Sequence, residues 1–315
     1  MLTAADDDFH PATGAEPSWT ETCWFAAAIP ERGMVVWTYP LFRPELSIMS
    51  CGVYLWAPRA EELWELPYYR TWWHLPIPDG IEPTSFELPI GLSYERLEPL
   101  SSYRISYADG DALAVDFTFN ALHPPHPFGV KDGRGHLDQL GRIRGELTLH
   151  GERLEINCVE MRDRTWGPRR ESRQGTRLGY SYGTTSPEAG FHCSTLFDPR
   201  SGESRLMTGY ALRDGATVPL RSAVREVVRD ARGRPARIEV RAEDEDGRPL
   251  EAAGEVISRL AMPSTPYFVW ASLVCWRFAD GSEGFGEDQD TWSPGLLREF
   301  LRGRAGERAA RPQAS

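Results

Sequence analysis

At 315 residues, with 41% hydrophobic and 26% charged residues, the chain has material for a buried core and the balance of a globular protein. Its net charge of −11 and isoelectric point near 5.2 exclude nucleic acid as the expected partner, because phosphate binding needs a basic face. No apolar run approaches the roughly 20 residues that a membrane-spanning helix needs. The first residues, Met1 to His10, carry the acidic run Asp6-Asp7-Asp8 where a signal peptide needs a basic region. A cytoplasmic protein without a membrane span is expected, its first 15 or so residues loose. The segment up to about residue 80 is rich in aromatic residues and proline, with Trp19, Trp24, Trp37, Trp56, Trp64, Trp72 and Trp73. Such density suits an apolar cavity, a filled β core or a hydrophobic interface. Strand-and-turn punctuation follows. Tyr103–Tyr107 and Leu113–Phe119 flank an Asp109-Gly110 turn, and Ile143–Leu149 and Arg153–Met161 flank His150-Gly151. Ala223–Arg229, Ile238–Ala242 and Gly254–Leu260 read as a meander, and Leu273–Phe278 opens a last hairpin through Asp280-Gly281. Short strands at regular spacing predict a sandwich or barrel, not a parallel sheet. One helix is predicted near the end, with Ser293 as cap, Pro294 in the first turn and an apolar stripe of Leu296, Leu297, Phe300 and Leu301. A polar, disordered tail is expected beyond it.

The five cysteines are widely spread and form no CxxC pair, which reads as reduced, mostly buried thiols without disulfide or structural zinc. Lys131 is the only lysine, so Schiff-base chemistry has little to rest on. There is no phosphate-binding loop, no nucleophile elbow, no HExxH and no convincing dinucleotide fingerprint. Cofactor-free chemistry or pure binding is therefore expected.

The densest run of capable side chains is Arg162-Asp-Arg-Thr-Trp-Gly-Pro-Arg169, directly after an alternating strand pattern. Its end arginines offer anion clamps, Trp166 offers a wall for an apolar cavity, and Gly167-Pro168 read as a turn. Asp163, between two arginines, is either a catalytic acid or base or a structural ion pair; protonating an alkene would need burial beside aromatics to raise its pKa. His136 and Asp138 stand two residues apart, on one face if extended, otherwise as a solvated loop pair. His123, His126, His136 and His192 are weak metal candidates, because prolines around the first two read as a rigid connector. Glu287-Asp-Gln-Asp290-Thr-Trp292 either brings carboxylates to a cavity mouth or caps the terminal helix, the cap being favoured. Glu21 alternates with Trp19 in the first strand near Trp24, and an inward carboxylate there requires a partner.

Taken together, Trp19-Thr-Glu-Thr-Cys-Trp-Phe25, His136–Gly145, Arg162–Arg169 and Gly284–Trp292 resemble the AttH-like and carotenoid 1,2-hydratase-like superfamily over approximately residues 17–300. The resemblance implies an all-β chain of two tandem lipocalin-like antiparallel β-barrels with a short C-terminal helix. The expected units are residues 1–160, residues 161–302 and a disordered tail over 303–315. It also implies hydratase, isomerase or cyclase chemistry on a double bond of an apolar isoprenoid, polyketide or aromatic molecule, without cofactor or metal. Asp163, His136 and Glu287 are the expected catalytic residues; Trp166, Trp24, Glu21, Arg169 and His192 are expected to bind substrate. Relatives often carry Asp-His-Ser-Trp-Gly where this chain has Asp163-Arg-Thr-Trp-Gly167, and Arg164 cannot replace a histidine in proton transfer. A carrier of a lipophilic metabolite and a scaffold for a partner protein remain alternatives, with a homo-oligomer left open.

Overall fold

The computed structural model describes residues 2–11, 16–60, 62–169, 176–198, 202–263 and 267–310, with side chains followed to residue 303. The first sheet has eleven strands: β1 (Trp19–Ile29), β2 (Met34–Arg43), β3 (Ile48–Trp56), β4 (Tyr68–Pro76), β5 (Phe86–Glu87), β6 (Leu92–Glu98), β7 (Ser102–Asp109), β8 (Leu113–Ala121), β9 (His126–Lys131), β10 (Arg134–Leu149) and β11 (Glu152–Pro168). Their order is β4-β3-β2-β1-β11-β10-β8-β7-β6-β5, with β9 on β10. Eight more strands close into a barrel in chain order: β12 (Arg177–Ser186), β13 (Ala189–Phe197), β14 (Ser204–Arg213), β15 (Ala216–Arg229), β16 (Pro235–Asp244), β17 (Pro249–Pro263), β18 (Phe268–Phe278) and β19 (Glu283–Trp292). A helix, α1 (Pro294–Ala310), follows. The chain is all-β, as expected.

Only the second unit closes through its ladder. The first curls into a half-barrel whose β4 edge meets β7 through side chains: Tyr68 hydroxyl bonds to the Tyr107 hydroxyl and donates to Asp109 Oδ2 at 2.7 Å, and Trp72 packs edge-on against Tyr107. Inside, alternate residues of β7 and β8 (Tyr103, Ile105 and Tyr107; Val115, Phe117 and Phe119) fill the concave side, the period-2 pattern of a half-buried strand. β1 is buried at every residue. Phe25 lies edge-on to Tyr94 within the half-barrel, whereas Trp24 packs against Tyr180 and Tyr182 of the barrel. Thus β1, with β11 beside it, is where the two units meet.

The β19 side of the barrel carries buried ion pairs. Asp288 accepts two bonds from Arg225, at 2.8 and 2.5 Å, and Asp290 is met by Arg229 at 2.5 Å and Arg177 at 3.1 Å. The expectation that this acidic run caps the helix is therefore corrected: alternation turns Asp288 and Asp290 to buried arginines and Glu287 the other way. Ser293 Oγ makes no hydrogen bond among the described residues; its backbone oxygen accepts from Leu297. The helix also continues to Ala310, through most of the stretch expected to be disordered, while residues 311–315 lie outside the described residues.

Two more expectations are corrected around β11. All of β11 pairs within the first sheet, so the division expected near residue 160 falls inside a strand; the next strand begins at Arg177. Gly167-Pro168 make no turn, since Thr20 pairs with Gly167 and Trp19 with Pro168. Gly167 has φ +135°, and a Cβ there would lie 2.7 Å from Arg134 Cβ, so the glycine admits a neighbouring strand instead of reversing the chain. The N-terminal residues 2–11 are not loose. Asp7 is fully buried, accepting from Leu100 N at 2.7 Å and Tyr103 hydroxyl at 2.6 Å, with Arg162 Nη1 at 3.5 Å. Arg164, also fully buried, donates to the carbonyls of Asp6 and Asp8 and to Glu21. Two guanidiniums buried in an apolar half-barrel demand these acceptors.

Removing one charge of that arrangement should leave the other uncompensated. Asp7→Asn is expected to lower unfolding free energy by about 3–5 kcal/mol in urea titration at neutral pH. Asp8→Asn, which breaks the half-exposed pair with Arg96, should cost under about 1 kcal/mol.

Candidate active site between the two units

Alternation along β11 sends Arg162, Arg164 and Trp166 to the half-barrel side and Asp163 and Thr165 to the side facing the barrel. Asp163 has Asp138 of β10 and Trp24 of β1 as its cross-strand neighbours. His136, two residues before Asp138, joins them: its Nε2 lies 2.9 Å from Asp138 Oδ1 and its Nδ1 2.7 Å from Thr165 Oγ1. From the barrel, Tyr180 donates to Asp138 Oδ1 at 2.6 Å, and its ring packs on His192 at 4.6 Å. His136 and Asp138 are thus neighbours on one strand face, the extended reading, with Asp138 fully buried and His136 partly accessible.

The electrostatics separate these groups. Burial pulls His136 down, but the Asp138 carboxylate and their hydrogen bond outweigh it and set the imidazole at about 9. Burial raises Asp138, but His136, His192 and the Tyr180 hydrogen bond hold it well below the usual carboxylate range. Asp163 behaves differently. Burial pushes it up to about 6 against the pull of His136, and Oδ1 is buried without a hydrogen-bond partner among the described residues. An ion pair stands beside an acid that holds its proton close to neutral pH.

Ligating atoms of His136, Asp138 and Asp163 lie within 4.8 Å of one another, the one such group among the described residues. Both ring nitrogens of His136 are already engaged, so the trio is built as a hydrogen-bonded ion pair with a neighbouring acid. The three remaining histidines of the four weighed for metal gather around Tyr210, with ring centroids of His123, His126 and His192 at 4.8, 5.0 and 5.6 Å.

The remaining expected site residues divide. Trp24, in edge contact with Trp37 at 5.2 Å and with Tyr180 and Tyr182, forms the wall beside Asp163. Arg169 donates to the Tyr39 hydroxyl at 3.3 Å and lies close enough to Asp163 to favour its charged form. Trp166 does not line this face: it is stacked under His10 at 4.2 Å, with interplanar angle 3°. Glu21 stays on that same far side, bonded to Arg164 at 2.7 Å and to His10 N at 2.7 Å; burial raises it, but these partners hold it below its ordinary value. His192 lies behind Tyr180. Glu287 forms a separate centre: Trp37 Nε1 donates to it at 2.9 Å, and Tyr182 donates to the nearby Glu160 at 2.5 Å.

A cavity of about 420 Å³ opens on the same face of the first sheet, lined by Tyr39, Tyr54, Tyr69, Thr71, Trp73 and Met262 among others. Tyr39 stands two strands from Asp163, roughly 10 Å at the usual strand spacing. Glu160, Trp37, Tyr180 and Tyr182 were not among the expected site residues. The alternating Tyr180-Ser-Tyr182 was a legible strand face, but nothing local said which surface it would meet.

Glu160 and Glu287 are both buried. Burial pushes Glu160 up to about 7, against the Tyr182 bond; burial and the charge of Glu160 push Glu287 well above its ordinary value. The folded state therefore keeps protons that the unfolded chain releases above about 4.5. This pair's contribution is most favourable below that pH and is lost as pH rises through 7. Glu287→Gln should raise the melting temperature at pH 8 relative to the parent and narrow the difference at pH 5, measured by scanning calorimetry.

None of the curated proteins matches the chain in sequence. Among solved structures, kievitone hydratase from Nectria haematococca is similar at TM-score 0.55 and 14% identity, over 92% of this chain and 95% of that one. A protein assigned as AttH from Nitrosomonas europaea is similar at TM-score 0.54 and 13% identity, over 87% and 91%. At such identity the likeness speaks for the fold alone, which this chain shares with both proteins. Among the described residues no helix is long and apolar enough to cross a membrane. Residues 3–292 match one family model, and the chain belongs to that family, the domain of unknown function DUF7064.

Proposed function

We propose that the protein is a cofactor-independent hydratase or isomerase acting on a double bond of an apolar isoprenoid, polyketide or aromatic molecule. The observation that carries this reading is Asp163: a carboxyl set at about 6 on a partly accessible face, beside the His136–Asp138 ion pair and against Trp24. In its protonated form Asp163 donates its proton to one alkene carbon. The carbocation left on the other carbon faces Trp24 and its neighbouring rings, where cation–π attraction contributes about 1–2 kcal/mol per desolvated ring. Water then adds and returns a proton to the Asp163 carboxylate, or the carbocation gives a neighbouring proton back to it to form an isomer; either course restores the acid. His136, kept charged by Asp138, is a fixed cation that helps stabilise the carboxylate Asp163 becomes. The tyrosine- and tryptophan-lined cavity beyond Tyr39 suits the apolar remainder of the substrate. One fold neighbour is named as a hydratase, which agrees with this class of reaction.

One observation favours a carrier instead: the cavity lining stops at Tyr39, short of Asp163. Asp163→Asn separates the readings. With a panel of prenylated phenols and linear isoprenoid alkenes, turnover followed as deuterium uptake from D₂O should fall about 100-fold or more, with binding by tryptophan fluorescence retained. A carrier would show binding but no deuterium uptake in either protein. In the parent, kcat should be highest below about pH 6 and decline above it as Asp163 loses the proton it must donate.

A further inference from the structure

The barrel side of the interface carries a second constellation that alkene chemistry does not use. Ser194 and His192 stand two residues apart on β13, and Ser194 Oγ lies 3.2 Å from His192 Nε2. On the other side of the ring, His192 Nδ1 lies 3.7 Å from Asp138 Oδ2. Both of those atoms are buried, and neither has a hydrogen-bond partner among the described residues. Two orphaned polar atoms that face one another, one on an ionised carboxylate, are each other's natural partners. A shift of under about 1 Å completes the bond. That bond fixes the proton on Nδ1 and leaves Nε2 as the acceptor for the Ser194 hydroxyl.

We propose that Ser194, His192 and Asp138 form a nucleophilic triad, with Ser194 as the attacking residue and an activated ester as the chemical class of substrate. Such triads are identified by geometry and role, and they arise without a nucleophile-elbow sequence. Other features of the structure support the assignment. Ser194 is partly accessible, whereas His192 and Asp138 are fully buried, the order a nucleophile, base and orienting acid require. The pairing of β13 with β14 slips immediately after Ser194: Ser194 faces Thr208 and Thr195 faces Leu206, leaving Met207 unpaired. Bulges of this kind re-aim side chains beside functional sites. Tyr180, the cross-strand neighbour of Ser194, donates to Asp138 Oδ1 and so holds the carboxylate with Oδ2 toward His192. Burial pushes His192 down to about 4 despite Asp138, so the imidazole is unprotonated and able to accept a proton throughout the neutral range.

In the reaction, Ser194 Oγ attacks the carbonyl carbon while its proton passes to His192 Nε2. The tetrahedral oxyanion collapses with cleavage of the ester C–O bond, and the departing alcohol takes the proton from His192. Water, deprotonated by His192, then attacks the acyl carbon; the carboxylic acid leaves and Ser194 regains its hydrogen. Ester and water give acid and alcohol.

The test uses the full chain and a fluorophosphonate, which reports serine nucleophilicity without an alkene substrate, so its outcome is separate from that of the Asp163 experiment. Intact-mass analysis should show one phosphonyl adduct per chain, mapped to Ser194 by peptide sequencing. Para-nitrophenyl acetate should give a burst approaching one equivalent. Labelling should vanish in Ser194→Ala and slow by about 100-fold in His192→Gln, with circular dichroism and melting temperature checked for each. Asp138→Asn should also slow it, by disfavouring the Nδ1–H tautomer. The rate should stay nearly constant between pH 6 and 8, where the base is already free. No adduct, an adduct elsewhere, or equal labelling of the parent and a folded His192→Gln would overturn the proposal. If His192→Gln does not fold, a parent whose Ser194 labels no faster than its other serines overturns it equally.

Discussion

The two-residue alternation of β11 is the constraint on which the site depends. It separates charges adjacent in the chain: Arg162 and Arg164 enter the half-barrel, while Asp163 enters the interface. Each side then needs a different solution. The arginines are met by Gln139, Glu21 and the N-terminal residues Asp6 to Asp8, which seal the half-barrel. Asp163 makes no ion pair among the described residues; His136, Arg169 and Arg162 act on it from farther off, and burial outweighs them and raises it. A one-residue slip of this strand would exchange the two environments and destroy both.

The interface concentrates ionisable groups in a way that a structural joint alone does not require. Asp138 is clamped by His136 and Tyr180, and Glu160 lies by Glu287, with Tyr182 donating to the first and Trp37 to the second. The first arrangement holds a full charge pair, the second holds protons. Aromatic side chains separate them: Trp24 touches Trp37, Tyr180 and Tyr182. Low dielectric around these rings is what drives the shifts, since the same groups in water would titrate near their ordinary values. The barrel's own buried charges follow the opposite course, with Asp290 kept ionised by three arginines.

Much of the fold was legible. The Asp109-Gly110 and Asp280-Gly281 turns and the alternating strands around them lie where their patterns place them, because hairpins are local objects. The site was legible in part. Asp163 and His136 stand together, and Trp24 with them, but Trp166 and Glu21 belong to the far face, since residues 163 and 166 differ in parity along a strand. The acidic N-terminus looked like a solvated tail because its partners, Arg162 and Arg164, lie some 150 residues away in sequence and nothing local announces them. Tyr180, Tyr182 and Glu160 gain their roles only from docking of one unit on another, which no spacing within a strand encodes.

That docking joins two pieces that are separable at one place in the chain. The acid, its ion pair and Trp24 come from strands that end by Pro168, whereas Tyr180, Tyr182, His192 and Glu287 come from a barrel that begins at Arg177 and closes on itself. A single cut between those residues would divide the chain into two pieces, separating Asp138 from Tyr180 and His192, Trp37 from Glu287, and Glu160 from Tyr182. Any chemistry at this interface would then become a bimolecular property, rising with the concentration of both fragments, and the protein would report on its own reassembly.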